Sequence, residues 1–177
     1  MNSPIFLVGP GGAGKSTVGA ALSARLRRPF LDLDRLFSGR HGDISRFVDS
    51  FGYGVYARDN VECYASLPSD EKNAAVIALS SGFMTYEDTV HPEYLRVRRE
   101  VEESPFMFVL LPSLDPETCE AETIRRQLAR PFARSAAREA AVIRVRFKTY
   151  MALPHRKIET MKPVAAVVDE IVSALEQ

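Results

Sequence analysis

The sequence has no net charge: 23 Lys and Arg stand against 23 Asp and Glu. That balance argues against a protein whose whole surface is a nucleic-acid footprint. It also has no apolar run long enough to span a bilayer. Met1-Asn2-Ser3-Pro4 brings no basic flank, and the apolar stretch behind it is soon broken by glycines, so no signal peptide is expected. Cysteine is scarce. Cys63 and Cys119 are isolated, with no Cys or His at metal-ligand spacing, which favours two reduced thiols in a cytoplasmic protein over a disulfide or a zinc site. His41, His91 and His155 lie far apart without a partner pattern and receive no catalytic role. No internal repeat, low-complexity tract or Pro/Gly/Ser linker divides the chain. Its 177 residues, 46% hydrophobic and 26% charged, predict one α/β domain over 1–177 rather than a disordered chain.

What is present begins at residue 9. Gly9-Pro10-Gly11-Gly12-Ala13-Gly14-Lys15-Ser16 fits the pattern G-x-x-x-x-G-K-[ST]. Ile5 to Val8 precede it as a short buried strand. Ser16 to Arg27 follow as a helix, with Val18, Leu22 and Leu26 spaced four apart. Strand, glycine-rich turn and helix together make a P-loop. Glycines let backbone N–H groups approach phosphate oxygens, and the helix N-terminus adds positive potential at the same point. Gly11, Gly12, Ala13, Gly14, Lys15, Ser16 and Thr17 are therefore the expected nucleotide-binding residues. Lys15 is expected to reach the β- and γ-phosphates, and the Ser16 hydroxyl to ligate Mg²⁺.

Further strands are expected at Phe30–Leu33, Ala74–Leu79, Phe106–Leu111 and Ile158–Thr160. Helices are expected at Ile44–Phe51, Val55–Leu67, Pro92–Glu103, from Asp115-Pro116-Glu117 onward, and over Ala133–Met151. A last helix carries the apolar stripe Val164, Val167, Val168, Ile171, Val172 and Leu175. Alternating strands and helices imply a parallel sheet covered on both faces, with ligands at the carboxyl ends of its strands. Asp32 and Asp34 fall at such an end, and period-two alternation predicts that they face the same side. A P-loop kinase needs one carboxylate for Mg²⁺ and another for the acceptor hydroxyl. Capping of the following helix is the bland alternative, less favoured beside a P-loop.

Between Arg125 and Lys157 lie ten Lys and Arg residues and a single acid, Glu139. Most read as a solvated helix face. Arg130 stands apart: Pro131 pushes it out of helix, to a bend from which a lid arginine could swing toward a migrating phosphoryl group. Arg58 and Arg146 are candidates for clamping a substrate carboxylate.

These pieces resemble the shikimate kinase family, which has a nucleoside-monophosphate-kinase-like P-loop fold. The resemblance rests on Gly9–Ser16, on Phe30-Leu31-Asp32-Leu33-Asp34, on the run from Gly39 to Arg58, on Arg130-Pro131-Phe132 and on Arg146 to Tyr150. It implies a three-layer fold with a central five-stranded parallel sheet and an Arg-containing lid over approximately 112–135. It also implies ATP and Mg²⁺ as cofactors, phosphoryl transfer to shikimate, and a place in aromatic amino acid biosynthesis. The implied roles are Asp32 for Mg²⁺, Asp34 for the acceptor hydroxyl, Arg130 for the phosphate, and Arg58, Arg146 and Gly82 for the acceptor. The family's triple-glycine turn is here Ser80-Ser81-Gly82-Phe83, which places the bulk of Phe83 in a tight spot. Its Phe-Arg-x-x-Glu is here Ala57-Arg58-Asp59-Asn60-Val61, with Glu62 one residue late. The expected partner is a small hydroxy acid, with neither nucleic acid nor membrane, and the expected state is a monomer. Two other readings stay open: a kinase for another acceptor such as gluconate, and a nucleotide-binding regulatory domain without an acceptor site.

Overall fold

The structure, a computed structural model, describes residues 3–129 and 135–176. In chain order its elements are β1 (Ile5–Val8), α1 (Lys15–Leu26), β2 (Phe30–Asp32), α2 (Leu33–His41), α3 (Ile44–Phe51), α4 (Tyr53–Ala65), α5 (Ser69–Ala74) and β3 (Val76–Ala78). Then follow a 3₁₀ turn (Phe83–Thr85), α6 (Tyr94–Glu102), β4 (Met107–Leu111), α7 (Pro116–Leu128), α8 (Ala136–Ala152), β5 (Lys157–Glu159) and α9 (Val164–Leu175). The strands form the expected five-stranded sheet, in the order β2-β3-β1-β4-β5, and each pairs with its neighbours in parallel.

Strand side chains alternate between two cores. Ile5 and Leu7 of β1 join Phe108 and Leu110 of β4 under α1 and α9, with Val18, Leu22, Val167 and Ile171. Phe6 and Val8 face the other way with Met107, Val109 and Leu111, against α2, α4, α6 and α8. Both faces are covered, so the strands read as unbroken apolar runs.

Three expectations are corrected. Strand β2 stops at Asp32, and Leu33 and Asp34 already belong to α2. Leu33 is fully buried, and the Asp32 carboxylate caps the helix by accepting from the Asp34 and Arg35 amides at 3.1 and 3.3 Å. The bland role for Asp32 is thus real, and period-two alternation cannot account for the position of Asp34. Ala74 ends α5 rather than beginning β3. This six-residue helix has Asp70 and Glu71 in its first turn and is too short and polar to show a helical period. The expected helix from Ala133 begins at Ala136 with Ser135 as its N-cap; positions 133 and 134 lie outside the described residues. Much of the expected lid segment is α7, which starts on an Asp115 cap with Pro116 in its first turn.

Candidate active site

Strand β1 runs into Gly9, whose φ of 147° only glycine tolerates easily. A Cβ there would overlap the Leu110 carbonyl oxygen of the neighbouring strand. Gly12 and Gly14 also have positive φ, 75° and 86°. The loop they shape delivers Lys15 into a buried position, where its Nζ donates to the Gly9 and Pro10 carbonyls at 2.7 and 2.9 Å. One crevice is lined by Gly11 to Thr17, Asp32, Asp34, Ala78, Leu79, Ser81 and Gln127. The fold therefore gathers the P-loop and both aspartates at the carboxyl ends of β1, β2 and β3. The Asp34 side chain reaches the crevice because α2 begins immediately after β2.

Hard oxygen donors suit Mg²⁺, which typically takes one or two carboxylates plus phosphates and waters. Ser16 and Asp32 line the same crevice, and the two amide bonds to Asp32 both fall on Oδ1, so these residues fit that requirement.

Asp34 sits among hydroxyls. Its Oδ1 accepts from Ser80 Oγ at 2.5 Å and from Tyr56 OH at 3.4 Å. Arg146 projects from α8, donating through Nη1 to Ser81 Oγ at 3.0 Å and through Nη2 to Tyr53 OH at 2.9 Å. Tyr150, one turn on, donates to the Ser81 carbonyl at 3.1 Å. Burial raises the phenol pKa values of Tyr56, Tyr86 and Tyr150, so these rings act here as neutral donors. Burial likewise pushes up the thiols of Cys63 and Cys119, which disfavours the thiolate.

Gly82 lies beside Arg146. The space that a side chain at Gly82 would need is taken by Tyr53 OH, Arg146 Nη2 and Tyr86 Cε1. Phe83, expected to crowd this turn, instead points into the core and packs against the rings of Tyr64, Tyr86 and Tyr94. The crowding comes from Tyr53, a residue with no role assigned to it from the sequence. Gly82→Ala is expected to cost about 1–3 kcal/mol of unfolding free energy by overpacking. Most of that cost should disappear in a Tyr53→Ala background. Equal costs in both backgrounds, read by urea titration, would show that the contact is not the cause.

One predicted residue is not brought into this group. The Arg58 side chain is 63% exposed, bonds to neighbouring Asp59 at 3.3 Å, and does not line the crevice. Position 61, where the resemblance expects a glutamate partner, holds a buried valine, and Glu62 pairs with His91. Arg130 lies outside the described residues.

Most of the described basic residues from Arg125 to Lys157 are exposed as expected, among them Arg125, Arg138, Arg144 and Lys148, and Arg126 is an exception. It donates to the Gly12 carbonyl at 3.0 Å, to Thr160 Oγ1 at 3.0 Å and to the Thr160 carbonyl at 2.9 Å, tying the P-loop to the turn after β5. Its Nε donates to Glu122, which Arg125 also contacts. The sequence carried only a weak hint of this, an acid four residues before an arginine on one helix. Bonds from Arg125 and Arg126 hold the Glu122 carboxyl down at about 2, against an ordinary 4.5. The folded state thus keeps the charge to a lower pH than the unfolded chain. The resulting stability is complete above pH 4.5 and is lost as pH falls toward 2. Glu122→Gln should therefore lower the urea midpoint near neutrality, by an amount that shrinks as pH is lowered through that window. A pH-independent gap would count against this account.

Against this geometry, comparison with known proteins is decisive for the family. The family model for shikimate kinase matches residues 11–176. The chain belongs to the shikimate kinase family. A "Shikimate kinase 2" of Escherichia fergusonii is 37% identical over 93 residues, 51% of this chain and 49% of that protein. The chain spans about half the length of the curated relatives it matches. Among solved structures, shikimate kinase from Aquifex aeolicus superposes with a TM-score of 0.71 at 26% identity, covering 98% of this chain and 96% of that one. The fold is shared with a shikimate kinase from Acinetobacter baumannii in complex with shikimate, at a TM-score of 0.72, 22% identity and coverage of 98% and 93%.

Proposed function

We propose that this family member is an ATP-dependent small-molecule kinase, passing the γ-phosphoryl group to a hydroxyl of shikimate or a similar hydroxy acid. One observation carries the reading: a P-loop lysine, a capping carboxylate suited to Mg²⁺ and a second carboxylate, Asp34, line a single crevice. Lys15 stabilises charge on the migrating phosphoryl group. Ser16 and Asp32 would hold Mg²⁺, which would neutralise charge on the phosphate oxygens. Asp34 orients the acceptor hydroxyl and takes its proton. Arg146, already bonded to two hydroxyls beside Gly82, supplies the cation for an acceptor carboxylate. Arg130 and Arg58 keep the lid and clamp roles implied by the family resemblance, with Arg58 having to turn inward from its contact with Asp59.

The test is a coupled assay of ADP release with ATP, Mg²⁺ and shikimate. Turnover with shikimate supports the reading in full. ATP binding without turnover of shikimate removes the substrate assignment.

Tyr53 and Arg58 favour a second reading. The phenol stands over Gly82, and only Arg146 of the two expected arginines lies beside it. A hydroxy acid other than shikimate, held by one arginine and the Ser81 and Tyr53 hydroxyls, suits that narrower space. Gluconate and a small panel of hydroxy acids in the same assay separate the two. ATP binding with no acceptor in the panel points instead to a nucleotide-binding regulatory domain.

A further inference from the structure

The two serines that replace glycine in the 80–82 turn each hold one residue of the acceptor side. Ser81 accepts from Arg146. Ser80 is the last step of a longer chain. Tyr86 OH lies 3.0 Å from Asn60 Oδ1, Asn60 Nδ2 lies 2.9 Å from Ser80 Oγ, and Ser80 Oγ lies 2.5 Å from Asp34 Oδ1. Asn60, Ser80 and Tyr86 are 0%, 1% and 5% exposed, so they have essentially no water to fall back on.

The chemistry of the groups fixes the direction of the chain. An amide NH₂ only donates, so Asn60 Nδ2 must give its proton to Ser80 Oγ. That leaves the single Ser80 proton for Asp34. The opposite amide orientation would make Ser80 donate to Asn60, and two oxygen acceptors would then meet at Ser80 and Asp34 without a proton between them. With the amide in this orientation, the donors from Tyr86 through Asn60 and Ser80 all point toward the carboxylate, and Tyr56 lies against both Tyr86 and Ser80. Such in-line bonds polarise one another. Tyr56 adds a longer bond to the same oxygen, and among the described residues no hydrogen bond reaches Oδ2 of Asp34.

We infer that Tyr86, Asn60 and Ser80 form a directed hydrogen-bond relay that holds Asp34 by Oδ1 and presents Oδ2 to the acceptor hydroxyl. The inference rests on the kinase reading above. It makes Ser80 a positioning residue, acting through Asp34 without touching substrate. Placement of the nucleophile is the part of phosphoryl transfer that this hold on Asp34 serves. Glycines at positions 80 and 81 offer no side chain for this task. The departure from the family's turn thus places a positioning device in the site.

Steady-state kinetics, with whichever acceptor the panel turns over fastest, test the role. Ser80→Ala is expected to lower kcat about tenfold to a hundredfold through loss of alignment, with the KM for ATP unchanged. Ser80→Thr, which keeps the hydroxyl, should recover most of that loss. Tyr86→Phe, which keeps the ring, should cost a few-fold in kcat. A kcat for Ser80→Ala within about twofold of the parent, or equal impairment in the Ala and Thr variants, would overturn the inference. A second measurement needs no turnover: urea unfolding of Ser80→Ala, Asp34→Ala and the double variant. Non-additive effects uphold the relay, and additive effects overturn it. If no acceptor is turned over by the parent, the kinase reading fails by itself, and this cycle alone decides whether Asp34 is held as described.

Discussion

Replacing Lys15 with alanine is expected to lower kcat on the order of a thousandfold, the loss seen when a preorganised donor is taken from a developing anionic centre. The side chain is almost fully buried and bonds to the carbonyls of Gly9 and Pro10. These bonds hold the ammonium inside its own loop, at the lining of the crevice where the proposed nucleotide phosphates would lie. The substitution also removes a donor from two carbonyls, a loss of about 1 kcal/mol each on unfolding. Chemistry and stability therefore separate cleanly. Single-turnover rates at saturating ATP should collapse, while the unfolding midpoint moves modestly. A rate within tenfold of the parent would remove Lys15 from the reaction.

Asp34→Asn is the second large effect. Removing a general base typically costs about 10²- to 10⁴-fold. Asparagine keeps the shape of the side chain and can still accept from Ser80, so the loss would report charge rather than packing. The expected pattern is a low kcat, with the KM for ATP preserved because the P-loop contacts are untouched. A matching fall in ATP affinity would instead assign Asp34 to the metal–nucleotide half of the crevice.

The donor half of this site was legible in the sequence because its physics is local. A glycine-rich turn between an apolar strand and a helix needs no distant residue to be recognised, and the positive φ values at Gly9, Gly12 and Gly14 are what that turn requires. The sheet was legible for a related reason: strands buried on both faces are continuous apolar runs, as in Met107–Leu111. Short polar helices such as α5 carry no period and were missed. The acceptor half depends on long-range meetings. Tyr53 and Arg146 are 93 positions apart, and Ser80 and Asp34 are 46 apart. No spacing rule relates them. Arg126 shows the same limit, since it bonds a loop 114 residues earlier while basic neighbours such as Arg125 stay exposed.

The position of β1 in the sheet also has a kinetic side. It is the central strand, and its partners are Val76–Ala78 on one edge and residues 107–109 on the other. The strand that carries the phosphate loop precedes the other strands of the sheet, and both of its neighbours come some 70 to 100 residues later. Such pairings must first overcome the entropy of closing long loops, which slows folding. Gly9 itself rests against Leu110 of the later neighbour. The loop at Gly9 therefore reaches its final shape only once β4 has docked beside β1.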